Sequence, residues 1–421
     1  MFRHPPTSHP IPELMYNRIV IVGAGQAAVQ AIDTLRRRGF TGELVLIGDE
    51  ASLPYQRPPL SKKYLAGELE RDRLLLRPEH FYSAHSVETR LGCRVEEISR
   101  REQRLRLDDG SSVAYDALLL ATGSIPRPLA VPGIDLEGVH YLRTIADVDR
   151  IRAGWTSARR LVIVGGGYIG LEVAATAREA GLDVTVLEMA DRVMNRVVCP
   201  QLSAFYEAEH ARHGVRILSN AKMRSLTAAP GSKRVGAVLT EDGEEHAADM
   251  VIVGCGVLAA DALARSAGLA CESGIVVDER CRTSDPCIYA AGDCTLHPSP
   301  HYGRRLRLES VDNAFEQGAS AALNLLGLDT VHDKVPWFWS DQYDLKLIIV
   351  GINQGYDTVV LRGTAQSRAF SVCYLRAGEL IAIDSVNRPK DQLAARKLIP
   401  ARARPNLDRL ADPEIPLKDT V

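Results

Sequence analysis

RIVIVGAGQAA, Arg18 to Ala28, runs a short apolar strand into a glycine turn and the start of a helix. Gly23 permits the tight turn, Gly25 lets a pyrophosphate approach the backbone, and small Ala28 stands where a third glycine would let helix pack on strand. The positive end of the helix completes a phosphate cradle. The same residues also suit a plain strand-to-helix turn, so the context decides. The helix carries Val29, Ile32 and Leu35 on one side and stops near Gly39, and the strand Leu44 to Ile47 ends at Gly48 and Asp49. An acidic residue about twenty positions on is what binds a ribose hydroxyl in a dinucleotide site.

The unit recurs. From Arg160 the chain reads LVIVGGGYIG, then LEVAATAREAG, then LDVTVLE. Gly165, Gly167 and Gly170, with Ile169 between, complete the three-glycine fingerprint, and Glu188 ends the second strand. An internal repeat of this kind decides the architecture. A carboxylate at Glu188 accepts hydrogen bonds from a ribose diol and repels a 2′-phosphate, which predicts a preference for NADH over NADPH. Arg192 and Arg196 follow closely and work the other way, since an arginine accommodates that phosphate.

Composition narrows the class. At 421 residues the chain exceeds one ordinary core, so two or three domains are expected. Its 46% hydrophobic and 25% charged content is that of a globular protein, and a net charge of −2 provides no global field toward nucleic acid or membrane. No apolar run approaches the roughly 18 residues of a membrane span. The proline-rich start lacks a signal-peptide core, and residues 1–16 are expected to be a disordered extension. The eight cysteines are irregularly spaced without a CxxC pair, as expected of buried thiols in a reducing cytoplasm.

Between and after the repeats lie further signals. At Arg57 to Lys62, RPPLSK, Pro59 suits a helix start; Arg57 and Lys62 either cap that junction or face a cofactor. Val95 begins a sheet segment, and Asp108-Asp109-Gly110 turns a hairpin. Tyr115 to Gly123, YDALLLATG, closes the first lobe, and Pro126, Pro128 and Pro132 stiffen the crossover. The second lobe ends at Asp249 to Gly256, DMVIVGCG. YAAGDC then places Asp293 at a strand end, where it is either a surface turn or a ligand. Beyond Asp333 short β-like runs and a basic helix, Lys390 to Ile399, indicate a separate α+β domain.

In both fingerprints, RPPLSK, ATG, TSDP at Thr283, YAAGDC, ESVDNAFEQG and PWFWSDQY, the chain resembles the FAD-dependent, NADH-using ferredoxin reductases over nearly its whole length after about Met15. The resemblance implies an α/β fold of two Rossmann-like dinucleotide-binding domains and a C-terminal α+β domain, glutathione-reductase-like. Residues 17–125 and 257–331 would bind FAD, 126–256 would bind NADH, and 332–421 would cover the flavin. It places Gly23, Gly25 and Ala27 at the FAD pyrophosphate and Asp49 at the adenosine ribose. Arg57, Lys62, Val95, Thr122, Gly123, Arg143, Asp293 and Val311 match other FAD contacts. Gly165, Gly167, Ile169, Gly170, Glu172, Glu188, Arg196 and Gly256 match the NADH side. Lys62 and Glu172 would form an ion pair that orients the nicotinamide, since a buried lysine without a counter-ion is costly. The helix after Glu309 would aim its positive end at the flavin's N1 side. Ala28 stands where a close member has glycine, and Gly318, Ala319 and Ser320 stand where that member is more basic.

The implied reaction is hydride transfer from NADH to flavin followed by single-electron delivery to an acidic [2Fe–2S] ferredoxin, without a protein nucleophile or a metal. That ferredoxin would serve a cytochrome P450 or a ring-hydroxylating dioxygenase. Trp337 and Trp339 either pack in a core or, for Trp339 above all, shape the electron exit. Arg304, Arg305, Arg307, Arg388, Lys390, Arg396 and Lys397 are candidates for the docking surface. The rivals are a flavin disulfide reductase, which would need a cysteine absent between Gly48 and Lys63, and a non-enzymatic FAD/NADH redox sensor.

Overall fold

Alternate residues of the strand Arg18–Val22 enter different cores. Ile19 and Ile21 join Leu44, Leu46, Ala117 and Leu119 on one face, while Val20 and Val22 join Val45, Ile47, Leu118 and Leu120 on the other. A sheet covered on both faces needs such continuous apolar strands. The computed structural model describes residues 16–421; apart from Tyr16, which packs half-buried against the first core, the expected N-terminal extension lies outside them.

The described residues form two compact units. The first takes the described part of Met1–Gln56, Leu75–Ser124 and Ala259–Lys334. Its parallel sheet runs in the order Ile288–Ala290, Ala117–Leu120, Arg18–Val22, Glu43–Gly48, Val87–Leu91. One face carries the helices Gln26–Arg37 and Val311–Leu325. They approach closely because Gly318 has no side chain: a Cβ there would lie 2.4 Å from the carbonyl oxygen of Ala27. The other face is covered by the antiparallel strands Val95–Ser99, Arg104–Leu107 and Ser112–Ala114.

The second unit takes Arg57–Leu74, Ile125–Leu258 and Val335–Val421. Its parallel sheet repeats the design, in the order Arg216–Leu218, Asp183–Leu187, Arg160–Val164, Met250–Val253, Val139–Tyr141. The C-terminal residues add an antiparallel sheet in the order Trp337–Gln342, Leu345–Gly351, Glu379–Val386, Phe370–Arg376, Thr358–Arg362. This sheet has two cores. On one face Leu347, Phe370, Val372 and Tyr374 pack against Leu171 of the helix Tyr168–Glu179 and against Leu202, Phe205 and Tyr206 of the helix Pro200–Arg212. On the other, Cys373, Leu375 and Ile383 pack against Ala395, Ile399, Leu410 and Leu417. Buried Arg362 ties down the C-terminal segment through Asp391, 3.1 Å away, and the carbonyls of Leu410 and Asp412.

The first of these cores contains an acid. Asp384 is fully buried and accepts the Tyr374 hydroxyl on Oδ2, while its Oδ1 and the hydroxyls of Tyr168 and Tyr206 find no hydrogen-bond partner among the described residues. Burial pushes the Asp384 carboxyl up from 3.8 to about 7. The folded protein therefore holds this proton more tightly than the unfolded chain, so its stabilising effect is full below about pH 4 and fades as pH rises to 7. Melting curves of Asp384→Asn against the parent should show the variant gaining roughly 5 °C relative to it between about pH 4 and about pH 8. A difference that stays flat with pH would contradict a raised carboxyl.

Candidate functional site

Each fingerprint turn combines positions where only glycine fits with a glycine that stands beside open space. In the first, Gly23 has φ +106°, and a Cβ would lie 2.2 Å from the Ala121 carbonyl oxygen. Gly25 is the N-cap of the helix Gln26–Arg37, extended and without a side-chain cap, and a Cβ there would meet nothing within 4 Å. In the second, Gly165 has φ +113°, and a Cβ on Gly170 would fall 2.1 Å from the Gly165 oxygen. Gly167 caps the helix Tyr168–Glu179 in the same bare, open way. Each helix thus presents N–H groups with no intrahelical partner to open space, which fits a pyrophosphate.

In the first unit the remaining predicted residues collect where parallel strands end. Thr122 Oγ1 donates to the Ala260 oxygen at 2.7 Å, Gly123 has φ +70°, and Asp293 accepts from Ser124 Oγ at 2.8 Å. Carboxyl ends of parallel strands are where α/β sheets bind ligands. Val311 is the first residue of its helix, after Ser310, whose hydroxyl accepts the Asn313 N–H at 3.1 Å. Ala27 and Val95 have buried side chains, so each can offer a ligand mainly its backbone.

The two acidic residues are not equivalent. Gly23 N donates to the Ile47 oxygen, and Gly165 N to the Leu187 oxygen, both at 2.8 Å. Glu188 follows Leu187 directly and curls back onto the glycine turn: Oε2 accepts Gly166 N at 2.7 Å and Oε1 accepts Ala190 N at 2.8 Å. The matching position in the first unit is Gly48, and Asp49 comes one residue later, exposed, 3.8 Å from Arg94. Sequence spacing alone does not distinguish these placements. Arg192 is engaged with the Val198 and Asn195 carbonyls and Ser203, whereas exposed Arg196 lies beside Gly256, where a Cβ would be 3.6 Å from its Nη2. Ile169 is 43% exposed beside the cradle.

Lys62 and Glu172 meet. Lys62 Nζ stands 2.7 Å from Glu172 Oε2, with the lysine side chain 18% exposed and the glutamate 5%. Arg57 donates to the Arg143 oxygen at 2.8 Å. Sequence reasoning missed the other partners of Glu172: Ser61 donates to Oε2 at 2.6 Å and Ser340 to Oε1 at 2.7 Å. The available signal was strand alternation, since Phe338, Ser340 and Gln342 share one face of Trp337–Gln342 and two of them are polar and buried. Trp337 and Trp339 share the other face, their rings stacked 5.4 Å apart. Trp337 packs into the C-terminal core with Arg396 over its ring at 4.0 Å, and Trp339 is half-buried beside it.

All eight cysteines are unpaired. Burial pushes the Cys255 thiol up to about 11 and Cys373 to about 12, and Cys281 is raised further for the same reason. Cys255 donates to the Val164 oxygen, a packing role.

The pyridine nucleotide-disulphide oxidoreductase family matches residues 17–318, and the reductase C-terminal family matches residues 337–421. The chain belongs to the pyridine nucleotide-disulphide oxidoreductase family. It is 43% identical over 400 residues to the rhodocoxin reductase of Rhodococcus erythropolis, spanning 95% of this chain and 93% of that protein. The ferredoxin–NAD(+) reductase component of the anthranilate 1,2-dioxygenase system of Burkholderia cepacia is 43% identical, with 95% of this chain and 98% of that protein covered. In structure the chain is similar to the reductase of the covalent putidaredoxin reductase–putidaredoxin complex, with a TM-score of 0.93, 42% identity and coverage of 96% and 98%. The fold is glutathione-reductase-like, the protein is an oxidoreductase, and the family's cofactors are FAD and NAD(H). Among the described residues no helix is long and apolar enough to cross a membrane.

Two glycines of the second turn separate folding from binding. Gly170→Ala should destabilise, because its Cβ meets backbone at 2.1 Å, whereas Gly167→Val has room and an allowed φ of −79°. Gly167→Val should melt within about 2 °C of the parent yet bind NADH at least about tenfold more weakly, a loss near 1.4 kcal/mol. Unchanged NADH affinity by calorimetry would contradict the cradle.

Proposed function

We propose that this protein oxidises NADH and reduces an acidic [2Fe–2S] ferredoxin, with the balance NADH + 2 oxidised ferredoxin → NAD⁺ + 2 reduced ferredoxin + H⁺. The observation that carries this reading is the pair of open phosphate cradles in a chain whose cysteines are all unpaired. A disulfide-reducing enzyme would need a thiol pair or a reactive thiol at the flavin. FAD, when bound, supplies the conversion of one two-electron donation into two one-electron donations.

The chain's own residues bind and orient. Backbone N–H groups after Gly25 and Gly167 hold the pyrophosphates of FAD and NADH, with Ala27 and Gly165 completing the turns. Asp49 takes the adenosine ribose of FAD, and Thr122, Gly123, Asp293, Val95 and Val311 complete that site. Glu188 takes the NADH ribose, and its two backbone bonds fix it for a diol and against a 2′-phosphate. Ile169, Gly256 and Arg196 flank the dinucleotide. Lys62 and Glu172 orient the nicotinamide, and geometry rather than acid–base chemistry does most of the work.

Three of the seven basic residues offered as docking candidates have an acid beside them. Arg305 is paired with Glu272, Arg307 with Glu309 and Arg388 with Asp391. Lys390, Arg396 and Lys397 remain exposed on the helix Pro389–Leu398 around Leu393, which is 58% exposed. A positive rim around an apolar centre suits an acidic partner. Of the residues differing from a more basic relative, Gly318 and Ser320 are buried and only Ala319 bears on docking. Similarity to the ferredoxin reductase for the CYP199A2 system of Rhodopseudomonas palustris, 41% identical, supports a cytochrome P450 as the terminal acceptor, and similarity to the anthranilate 1,2-dioxygenase system supports a ring-hydroxylating dioxygenase. Unpaired thiols suit a cytoplasmic location.

Lys397→Glu should raise the KM for an acidic ferredoxin several-fold and leave NADH oxidation with a dye unchanged. Turnover with ferredoxin should fall between about 20 mM and about 200 mM salt as charges are screened; indifference to both would remove this surface from the account. Trp339→Ala, followed by stopped flow, should slow ferredoxin reduction more than reduction by NADH. Equal losses in the two steps would contradict an electron-exit role.

A further inference from the structure

Glu172 lies on the second fingerprint helix, but a longer chain of side chains ends on it. Ser340 Oγ donates to its Oε1 at 2.7 Å; Gln342 Nε2 donates to Ser340 Oγ at 3.2 Å. His210 Nε2 stands 2.9 Å from Gln342 Oε1, and the Tyr343 hydroxyl 3.3 Å from His210 Nδ1. Ser340, Gln342 and His210 are essentially without solvent exposure.

The direction of every bond follows from chemistry. Burial lowers His210 from 6.5 to about 4, so near neutral pH the imidazole carries one N–H. Gln342 Oε1 can only accept, which places that N–H on Nε2 and leaves Nδ1 to accept from Tyr343. The Gln342 amide nitrogen can only donate, and it does so to Ser340. Ser340 gives its own hydrogen to the carboxylate. All donors therefore point toward Glu172, each polarising the next, and the last bond is charge-assisted. A chain aligned the other way would set lone pairs against a buried negative charge.

We propose that Ser340, Gln342 and His210 are positioning residues for hydride donation: a one-way hydrogen-bond chain that fixes Glu172 Oε1 and leaves Oε2 to Lys62 and Ser61. This rests on the reading of Lys62 and Glu172 as the pair that orients the nicotinamide. It also ties the NADH side to the strand Trp337–Gln342, whose opposite face carries Trp339.

The test uses the flavin-loaded full chain. Reduction by NADH and by C4-deuterated NADH is followed by stopped flow in Ser340→Ala, Ser340→Thr and Glu172→Gln, and the His210 ring is followed by ¹⁵N NMR. Ser340→Ala should lower the hydride-transfer rate about tenfold, as expected for losing a hydrogen bond to a charge. The deuterium effect should persist and the NADH dissociation constant should change little. Ser340→Thr, which keeps the hydroxyl, should restore the rate. In the parent His210 should be the neutral Nε2–H form, and its ¹⁵N shifts should move in Ser340→Ala although the two residues do not touch. A slow Glu172→Gln alongside a Ser340→Ala rate within twofold of the parent overturns the chain alone. So does equal slowing in Ser340→Ala and Ser340→Thr, or a His210 signal unmoved in Ser340→Ala. A Glu172→Gln rate equal to the parent's overturns the reading of the Lys62–Glu172 pair itself.

Discussion

Helix N-termini leave backbone N–H groups that nothing inside the helix can satisfy. A serine, threonine or acidic side chain can cap them, as Ser310 does here. The helices after Gly25 and Gly167 do not, and the space beside each glycine is open. The rest of the design follows from keeping those donors available. Gly23 and Gly165 bend the chain sharply enough to aim the helix at the strand ends, and Gly170 and Gly318 bring the surrounding backbone close enough to hold that aim. The parallel sheets, apolar on both faces, provide the rigid base.

The second constraint is electrostatic. Lys62 and Glu172 sit where water is largely excluded, and a buried ion pair recovers its desolvation cost only when the remaining lone pairs are also met. Ser61 and Ser340 meet them. The pair thereby joins the segment Pro58–Ser61, the fingerprint helix and the C-terminal sheet, adding polar contacts to the apolar core that the sheet and helix already share.

Much of the fold was legible because apolar strands followed by glycine turns leave a local mark. Both fingerprints, the hairpin at Asp109 and the β-rich character of the residues beyond Asp333 could be read directly, with ends displaced by a residue or so. Facing was harder to read. Spacing treats Asp49 and Glu188 alike, yet one is exposed and the other folds onto its own turn. A count of arginines suggests a broad basic surface, yet Arg305, Arg307 and Arg388 each have an acid beside them. PWFWSDQY drew attention through its tryptophans, while the polar residues on the opposite face, Ser340 and Gln342, made the contacts with Glu172 and His210. Their partners lie more than a hundred residues away, and one sequence carries no trace of such pairing.

We infer that one cradle holds a flavin and the other a nicotinamide that reduces it. An anaerobic titration of the purified protein with NADH, read in the visible spectrum, addresses it directly. The expected result is a yellow protein whose flavin bands bleach fully at one equivalent of NADH and return when an acidic [2Fe–2S] ferredoxin is added. A colourless protein that takes up no FAD, or one that stays yellow under excess NADH, would contradict it.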